Sequence, residues 1–551
     1  MGKMTVAEAM LRDLAQSGVE VVFGYPGSTN LALFDAFSRV DSVRLILVRH
    51  EQGAAHMADG YVRACGKPAA CSVSRGPGAS NLISGLHTAY QESIPIVALV
   101  GQVDSDILYR DAFEEMDLVT LFRPVTKYAV EVSRATRVRE VLKRALHYAT
   151  SGRPRPVMVS VPGDIQKEVI ERQSEDFLPR ATVRPPFPSL GELAKAREML
   201  TNARHPLFLV GGGTKSSQAV PEVARLAELI GAGVVVAWMR NDAFPNDHTH
   251  YLGMVGTGHR SAEATKQALN DADVVLAVGC RFSENTTNRY TMSFDRASLI
   301  HIDIDPVEIG KIYQPQVGIC ADAKQTLTAL IADFEARGPA QKFDRAARMN
   351  WVGKLRESYV PVTKLPSAFS SGKMHAGEIV RAMKALLPPE TIIVSDSGAF
   401  IYFVLRYYSF NVPGTLIAPA GGTMGFGLPA AIGAKLAKPE TPVVCVSGDG
   451  GFLMTLQEIE TAVRYGLNVV SIVFNNGGLG NIIAKQRKQY EGRLMGSRFG
   501  NPDFCKLAES FGAHGEHVTH PDQMAPALRK ALQANRPAVI DVHVDPDVIL
   551  P

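Results

Sequence analysis

The 551-residue sequence predicts an α/β protein made of three doubly wound parallel-sheet domains. Short apolar runs alternate with helix-length segments along the whole chain, as in HPLFLVGGG and TPVVCVSGDG. Such runs are typical of parallel strands that helices cover on both faces. The chain is also too long for one hydrophobic core, and at about 150–200 residues per domain it divides into three.

Two breaks divide this series of strands and helices. Residues 178–190 are rich in proline, which resists both helix and sheet, and residues 338–372 are charged and then rich in proline and serine. These breaks predict domains at 1–180, 190–335 and 370–551. The first and third domains share a similar strand–helix rhythm, which indicates two related domains flanking a different one.

The composition is typical of a soluble cytoplasmic protein. Charged residues make up 21% of the chain and the net charge is +3, with both signs interspersed, so we expect no nucleic-acid partner. The six cysteines show no metal-ligand spacing, as expected of free thiols in a reducing compartment. The N-terminal segment lacks the apolar core of a signal peptide. No apolar run approaches the ~18–20 residues that span a bilayer, so we expect no membrane contact.

The strongest motif is a predicted βαβ unit, GDGGFLMTLQEIETAVRYGLNVVSIVFNNGGLG, at 448–480. A buried strand runs into GDGG, one amphipathic helix follows, and the second strand runs into NN. The two strand ends lie at the same edge of the sheet because a crossover returns the chain in the same direction. Asp449 and Asn476 are 27 positions apart (476 − 449), about the length of one such unit.

This arrangement predicts a site for magnesium and a diphosphate. Carboxylate and amide oxygens are ligands that Mg²⁺ prefers, and glycines let the backbone approach a phosphate closely. A lone GDG or NG would be explained by a tight turn. Here each of the two motifs ends a strand of the same unit, which favours a binding site over a simple turn.

The motif resembles the signature of thiamine-diphosphate enzymes. In addition, RHEQGAAHMADGY around Glu51 resembles the RHE-x-x-A-x-x-M-A-x-G-Y segment of acetolactate synthases and pyruvate oxidases. The resemblance implies thiamine diphosphate and Mg²⁺ as cofactors. It also implies a pyrimidine-binding N-terminal domain, a central domain and a diphosphate-binding C-terminal domain.

The same resemblance assigns roles to individual residues. Asp449, Asn476 and the carbonyl of Gly478 are implied as magnesium ligands, and Glu51 as the acid that activates the cofactor. Met424, in APAGGTMGFGLPAAIGA, is implied as the apolar wedge between the cofactor rings, with Gly422 supplying a carbonyl that accepts from the cofactor's amino group. The other implied cofactor contacts are Gly398, Ala399, Gly448, Gly450, Gly451, Leu479 and Gly480.

Within this family, MDLVTLFRPVTKYAVEV and FVLRYYSF most resemble the catabolic, FAD-independent acetolactate synthases. The implied reaction is decarboxylation of a 2-oxo acid, pyruvate first, with carboligation to a second carbonyl compound. Phe113 and Glu114 would belong to the substrate pocket, and Gln102 is a weaker candidate.

Three departures from the family leave the substrate open. Glu114 stands where relatives often carry Gln or His, and Gly163 stands where many carry Lys or Gln. The segment after Asn476 also carries basic residues in a region that often covers the active site. These are Lys485, Arg487 and Lys488, and a solvated helix face explains them as well as recognition of an anionic substrate does.

Several alternatives remain. The chain could be another thiamine-dependent decarboxylase or lyase, an acetyltransferase acting on a sulfonated aldehyde, a pyruvate oxidase, or a non-catalytic paralogue. A Rossmann oxidoreductase is disfavoured because no convincing GxGxxG opens a βαβ unit. The turn at Gly211–Gly213 is weak evidence for a nucleotide, so functional FAD is not expected. The resemblance also implies a homodimer or homotetramer with the active site at a subunit interface.

Overall fold

The computed structural model describes residues 3–171, 185–256, 261–337, 343–367 and 374–548. Most of the predicted proline-rich linker (178–184) and parts of the second predicted connection (338–342 and 368–372) lie outside these residues. The described residues form three six-stranded sheets whose registered neighbouring strands are parallel. The predicted fold class is therefore confirmed.

The first sheet has the order β3-β2-β4-β5-β7-β6. Its strands are β2 (Val21–Gly24), β3 (Arg44–Leu47), β4 (Ala69–Val73), β5 (Ile96–Gln102), β6 (Tyr128–Glu131) and β7 (Val157–Pro162). The short strands β1 (Lys3–Thr5) and β8 (Val169–Glu171) pair antiparallel. The helices of this part are α1 (Val6–Gln16), α2 (Leu31–Ala36), α3 (Glu51–Cys65), α4 (Pro77–Glu92), α5 (Leu118–Phe122), α6 (Val138–Thr150) and α7 (Gly163–Lys167).

The second sheet has the order β11-β10-β9-β12-β13-β14. Its strands are β9 (Pro206–Val210), β10 (Gly233–Val236), β11 (Tyr251–Met254), β12 (Val274–Val278), β13 (Ser298–Asp303) and β14 (Val317–Cys320). The helices are α8 (Leu190–Asn202), α9 (Gly212–Ser216), α10 (Val220–Ile230), α11 (Glu263–Asp271), α12 (Ala323–Arg337) and α13 (Arg345–Thr363).

The third sheet has the order β16-β15-β17-β18-β20-β19. Its strands are β15 (Ile392–Ser395), β16 (Leu416–Ile417), β17 (Val443–Gly448), β18 (Val469–Asn475), β19 (His514–Val518) and β20 (Ala538–His543). The helices are α14 (Ala376–Leu386), α15 (Ile401–Tyr407), α16 (Gly427–Ala437), α17 (Asp449–Thr455), α18 (Glu458–Arg464), α19 (Gly480–Gln489), α20 (Phe504–Ser510) and α21 (Pro521–Gln533).

The first and third sheets share one topology. Numbered by position along its own part of the chain, each sheet runs 2-1-3-4-6-5, whereas the second sheet runs 3-2-1-4-5-6. The similar rhythm of the two outer segments in the sequence therefore corresponds to the same strand order. The order of the second sheet is that of dinucleotide-binding folds, but strand order alone assigns no ligand.

The chain forms two compact units. One contains Met1–Thr182, Thr391–Ile401 and Ile417–Ile549, so the first sheet and nearly all of the third belong to it; the other contains Val183–Glu390 and Tyr402–Leu416. In the first unit, helices α3 and α16 pack closely, since a Cβ on Gly60 would overlap the carbonyl oxygen of Ala430. The exact domain boundaries stay a prediction.

One local prediction was wrong. The segment after GDGG was expected to form a single helix, but a helix already begins at Asp449, within the motif, and the segment divides into α17 and α18. Between them the backbone makes bonds of the i to i−3 type, from Ile459 to Leu456 and from Glu460 to Gln457. Bonds of this type are common at helix termini and in the connectors between helices.

Within the described residues, no helix combines the length and apolar character that crossing a membrane requires.

Candidate active site

Asp449 lies at the centre of a hydrogen-bond network at the carboxyl edge of the third sheet. Asp449 is 2% exposed, and one carboxylate oxygen, Oδ2, accepts the backbone N–H groups of Asn476 (3.1 Å) and Gly477 (2.8 Å). The other oxygen accepts the N–H of Gly450 at 2.8 Å. The two ends of the βαβ unit therefore meet as the sequence predicted, because β17 and β18 are parallel neighbours.

Asn501 completes this network and was not found from the sequence. Its Nδ2 atom donates to Oδ2 of Asp449 and to Oδ1 of Asn475, both at 2.8 Å. Its own Oδ1 is buried and has no hydrogen-bond partner within the described chain. Asn501 follows Asp449 by 52 positions, so no local sequence pattern connects them.

Three apolar side chains converge on Gly450. A Cβ placed there would lie 3.1 Å from Leu479, 3.1 Å from Phe499 and 3.6 Å from the Cε atom of Met424. The predicted wedge Met424 and the predicted contact Leu479 therefore lie together above the GDGG turn. Phe499, the third member, was not predicted.

The predicted contacts Gly398 and Gly448 both lie against the ring of Phe400, and Ala399 is buried beside them. Gly398 follows β15 and Gly448 ends the adjacent strand β17, so their backbones share one edge of the sheet. Gly478 forms a β-bridge with Arg498, and Gly480 begins α19.

Asp396, at the end of β15, ties the Met424 segment to this edge. Its buried carboxylate accepts the N–H of Gly425 at 3.0 Å and the hydroxyl of Ser447 at 3.1 Å. Burial raises the pKa of Asp396 to about 6 against the lowering effect of these hydrogen bonds. Gly425 has φ +80°, a conformation that glycine adopts without strain, and Gly422, whose carbonyl is predicted to accept from the cofactor, has φ +86°.

Glu51 is the first residue of α3. The ring of His50 caps the helix by accepting the N–H of Gln52 at 3.2 Å. The Glu51 carboxylate accepts from the amide of Asn81 at 3.0 Å, and a Cβ on Gly78 would lie 3.3 Å from its Oε1. Helix α4 therefore supplies one wall around the carboxylate.

Glu458, which the sequence did not single out, holds the backbone just before Glu51. Its carboxylate is fully buried and accepts the N–H groups of Arg49 (3.1 Å) and His50 (3.0 Å) and the hydroxyl of Thr461 (2.6 Å). Burial raises the pKa of Glu458 to about 7 despite these hydrogen bonds. A Cβ on Gly53 would overlap the same carboxylate, so this residue must be small.

The regions around Glu51 and the GDGG turn are neighbours within the first compact unit. The Gln52 side-chain amide lies 3.5 Å from where a Cβ on Gly425 would be, and Gly425 follows Met424 directly. Met424 in turn lies beside Gly450. One continuous set of contacts thus runs from the α3 N-terminus to the buried Asp449.

Phe113 and Glu114 lie on a loop that Arg75 holds. Arg75 donates to the carbonyl of Phe113 at 2.9 Å and lies 3.7 Å from the carboxylate of Glu114. The Phe113 ring is 79% exposed, with the guanidinium 5.9 Å from its centroid. A Cβ on Gly76, at the N-cap of α4, would lie 2.6 Å from the Glu114 carbonyl, so this loop reaches the helix that contacts Glu51.

The weaker candidates have other surroundings. Gln102 is 1% exposed, and its side-chain amide bonds the backbone of Val103 and Met116. These contacts stabilise the fold and do not place Gln102 in a substrate pocket. Gly163 begins α7, and a Cβ there would lie 2.7 Å from Asp104. The basic residues Lys485, Arg487 and Lys488 are exposed on α19, and Arg487 pairs with Asp547 at 2.7 Å.

The residues at this edge suit magnesium and a diphosphate. A buried carboxylate, an adjacent asparagine and the backbone after it offer oxygen ligands, which hard cations prefer. The pKa of Asp449 is raised by burial, and a bound divalent cation would offset that cost of burying a charge. The unpartnered Oδ1 of Asn501 is a further oxygen beside this carboxylate.

Three segments of the chain match models of one protein family. Residues 4–121 match the model for the N-terminal TPP binding domain of thiamine pyrophosphate enzymes. Residues 193–330 match the model for their central domain, and residues 396–542 match that for their C-terminal TPP binding domain.

Full-length relatives are named as acetolactate synthase subunits. The probable acetolactate synthase large subunit of Methanocaldococcus jannaschii is 37% identical, over 100% of this chain and 93% of that protein. The isozyme 3 large subunit of Escherichia coli is 37% identical over 99% of this chain and 96% of its own length. The large subunit of Corynebacterium glutamicum is 34% identical over 99% and 87%.

Proposed function

Because this chain belongs to the thiamine pyrophosphate enzyme family, among proteins named acetolactate synthase large subunits, we propose that it decarboxylates pyruvate and joins the remaining two-carbon unit to a second 2-oxo acid. The observation that carries the proposal is that Glu51 begins α3 beside Asn81, while Asp449 is buried at the carboxyl edge of the third sheet. The chain therefore retains both groups that thiamine chemistry requires of a protein, and the resemblance implies that they meet across a subunit interface. A non-catalytic paralogue would not need to retain both.

Thiamine diphosphate, when bound, supplies the electron sink for decarboxylation. The chain's own residues do the rest. Asp449, Asn476 and the carbonyl of Gly478 would hold Mg²⁺, and the glycines after β15 and β17 would let the backbone reach the diphosphate. Met424, Leu479 and Phe499 would form the apolar surface on which the cofactor bends.

Glu51 would hold a proton beside the pyrimidine ring. Its carboxylate is oriented by Asn81, and its backbone is held by Glu458 through Arg49 and His50. This bracing keeps the acid in one position, which acid–base catalysis requires. The loop of Phe113 and Glu114 would contact the substrate, with Arg75 setting the position of Glu114.

We propose that the central domain needs no FAD for this reaction. A nucleotide is not required to explain the glycines at Gly211–Gly213, because they let two backbones approach closely. A Cβ on Gly213 would lie 2.8 Å from the Cα atom of Gly279. The strand order of the sheet is compatible with a dinucleotide, so an absorption spectrum is the proper test.

We further propose that the chain forms a homodimer or homotetramer in the cytoplasm. It rests on the resemblance to the family and on six cysteines that are all free thiols. Sedimentation of the purified chain, with and without cofactor, measures the assembly.

The experiment is turnover of pyruvate by the purified chain with Mg²⁺ and thiamine diphosphate, following carbon dioxide and acetolactate together. We expect both products, no flavin absorption band, and loss of turnover in Glu51→Gln. The matched control is Glu263→Gln, whose side chain is 85% exposed in the other compact unit. Carbon dioxide without acetolactate would indicate a decarboxylase, and absence of both products would refute pyruvate as the substrate.

A further inference from the structure

A cluster of two imidazoles and one carboxylate lies on the third sheet, apart from the residues assigned to the cofactor. Its members are His517 at the end of β19 and Asp541 and His543 on β20. One ligand atom from each residue lies within 4.8 Å of the others. No role in the proposed reaction explains why these three groups converge.

The sheet itself brings these side chains together. His517 is directly opposite Asp541 in the parallel register of β19 and β20. Asp541 and His543 are two positions apart on one strand, so their side chains point to the same face. The Oδ2 atom of Asp541 lies 3.2 Å from Nε2 of His543 and 3.8 Å from Nδ1 of His517.

These separations are close to those of a metal's ligands. Zinc–ligand bonds of about 2.0–2.2 Å in tetrahedral geometry place ligand atoms about 3.3–3.6 Å apart. Both imidazoles are half exposed, at 51% and 49%, so small side-chain rotations can close the remaining gap, whereas Asp541 is 2% exposed and fixed. One face of the cluster is therefore open to an ion from solvent.

A second residue orients the carboxylate. Nδ2 of Asn475 donates to the other oxygen of Asp541 at 2.9 Å, leaving Oδ2 to face the two imidazoles. Such an outer hydrogen bond is the usual support of a ligating carboxylate. Asn475 also accepts from Asn501, which bonds Asp449, so this cluster and the predicted magnesium ligand are connected by three hydrogen bonds.

We propose that His517, Asp541 and His543 form a binding site for one divalent transition-metal ion of the zinc class, separate from the magnesium site. Two imidazoles and one carboxylate favour zinc, cobalt, nickel or copper over magnesium, which prefers oxygen ligands alone. Water completes the coordination on the exposed side. The site requires neither the substrate nor the cofactor to be bound.

The test is a calorimetric titration of the metal-stripped full chain with Zn²⁺, in buffer that holds saturating Mg²⁺ and thiamine diphosphate. We expect one Zn²⁺ per chain, and a tetrahedral or five-coordinate absorption spectrum when Co²⁺ replaces it. The double variant His517→Ala/His543→Ala should lose this binding, and Asn475→Ala should weaken it about 10- to 100-fold.

Two controls separate this site from others. His514→Ala removes a histidine of the same strand whose ring pairs with Glu516 instead, and it should bind Zn²⁺ unchanged. Asp449→Ala should also keep the site. Retained binding in the double histidine variant, or loss of binding in Asp449→Ala alone, would overturn the proposal. The readout is metal binding, so failure of the proposed catalytic function would leave it standing.

Discussion

Glu458 gives the sharpest test of how the fold positions Glu51. Replacing Glu458 with alanine leaves the N–H groups of Arg49 and His50 without their acceptor. An unsatisfied buried donor costs about 1–3 kcal/mol, so the two together cost about 2–6 kcal/mol of the free energy of unfolding. That is a large share of the ~5–15 kcal/mol that a domain has in total.

Turnover should fall as well, because the same two N–H groups fix the backbone that leads into Glu51. A displacement of about 1 Å in a catalytic group can lower the rate by about 100-fold. Urea unfolding and kcat are measured on Glu458→Ala and on the control Glu460→Ala. Glu460 is partly exposed and pairs with Arg464 on the same helix, so its loss should cost no more than about 1 kcal/mol.

Glu458→Gln separates charge from hydrogen bonding. The glutamine oxygen can still accept from the backbone, and its amide can donate to the Thr461 hydroxyl. The pKa of Glu458 is raised from 4.5 to about 7, so the folded state binds its proton more tightly than the unfolded state does. Its contribution to stability is therefore fully present below about pH 4.5 and is lost as the pH rises through about 7.

The size of this change follows from the two pKa values. At 1.36 kcal/mol per pKa unit, about 2–3 kcal/mol is lost between pH 5 and pH 8. The neutral Gln variant lacks that loss, so its free energy of unfolding relative to wild type should rise by this amount over the same range. A difference that stays flat with pH would refute the burial argument, and an Ala variant as stable as wild type would refute the hydrogen-bond argument.

Three further predictions concern the same unit. Glu51→Gln should abolish most turnover while leaving magnesium-dependent binding of thiamine diphosphate nearly unchanged in a fluorescence titration; full activity would contradict its assigned role. Asp449→Ala should weaken that binding at least about tenfold, because it removes a charged ligand; an unchanged dissociation constant would exclude Asp449 as a ligand. Gly60→Ala should lower the free energy of unfolding by at least about 1–3 kcal/mol, because its Cβ overlaps the Ala430 carbonyl, whereas Gly191→Ala, with no atom within 4 Å, should not destabilise the chain.

The sequence predicted those parts of the site that lie on short, continuous segments. Asp449 and Asn476 belong to one βαβ unit, and the right-handed crossover brings their strand ends together in any such unit. Glu51 lies where a strand passes into a helix, and the structure begins the helix at that residue. In these cases secondary structure alone determines the position.

The residues that hold these groups in place could not be predicted in this way. Glu458 bonds a backbone that lies 409 positions before it, and Asn501 reaches Asp449 across 52 positions. Their partners are N–H groups or other side chains, which leave no pattern in the local sequence. In the sequence Glu458 has no feature that distinguishes it from an ordinary polar helix residue, because only its contact with the backbone before α3 gives it these partners.

The apolar residues of the site also differ in whether the local sequence indicates them. Met424 was predicted because its glycine-flanked segment resembles that of the family, but Phe499 lies in a segment without such a signal and meets Met424 only beside Gly450. Because protein interiors are closely packed, the side chains that surround a glycine must fit one another in size and shape. Substitutions at Phe499 should therefore be interpreted as changes to the surface shared with Met424 and Leu479, since Gly450 has no side chain to compensate for a lost neighbour.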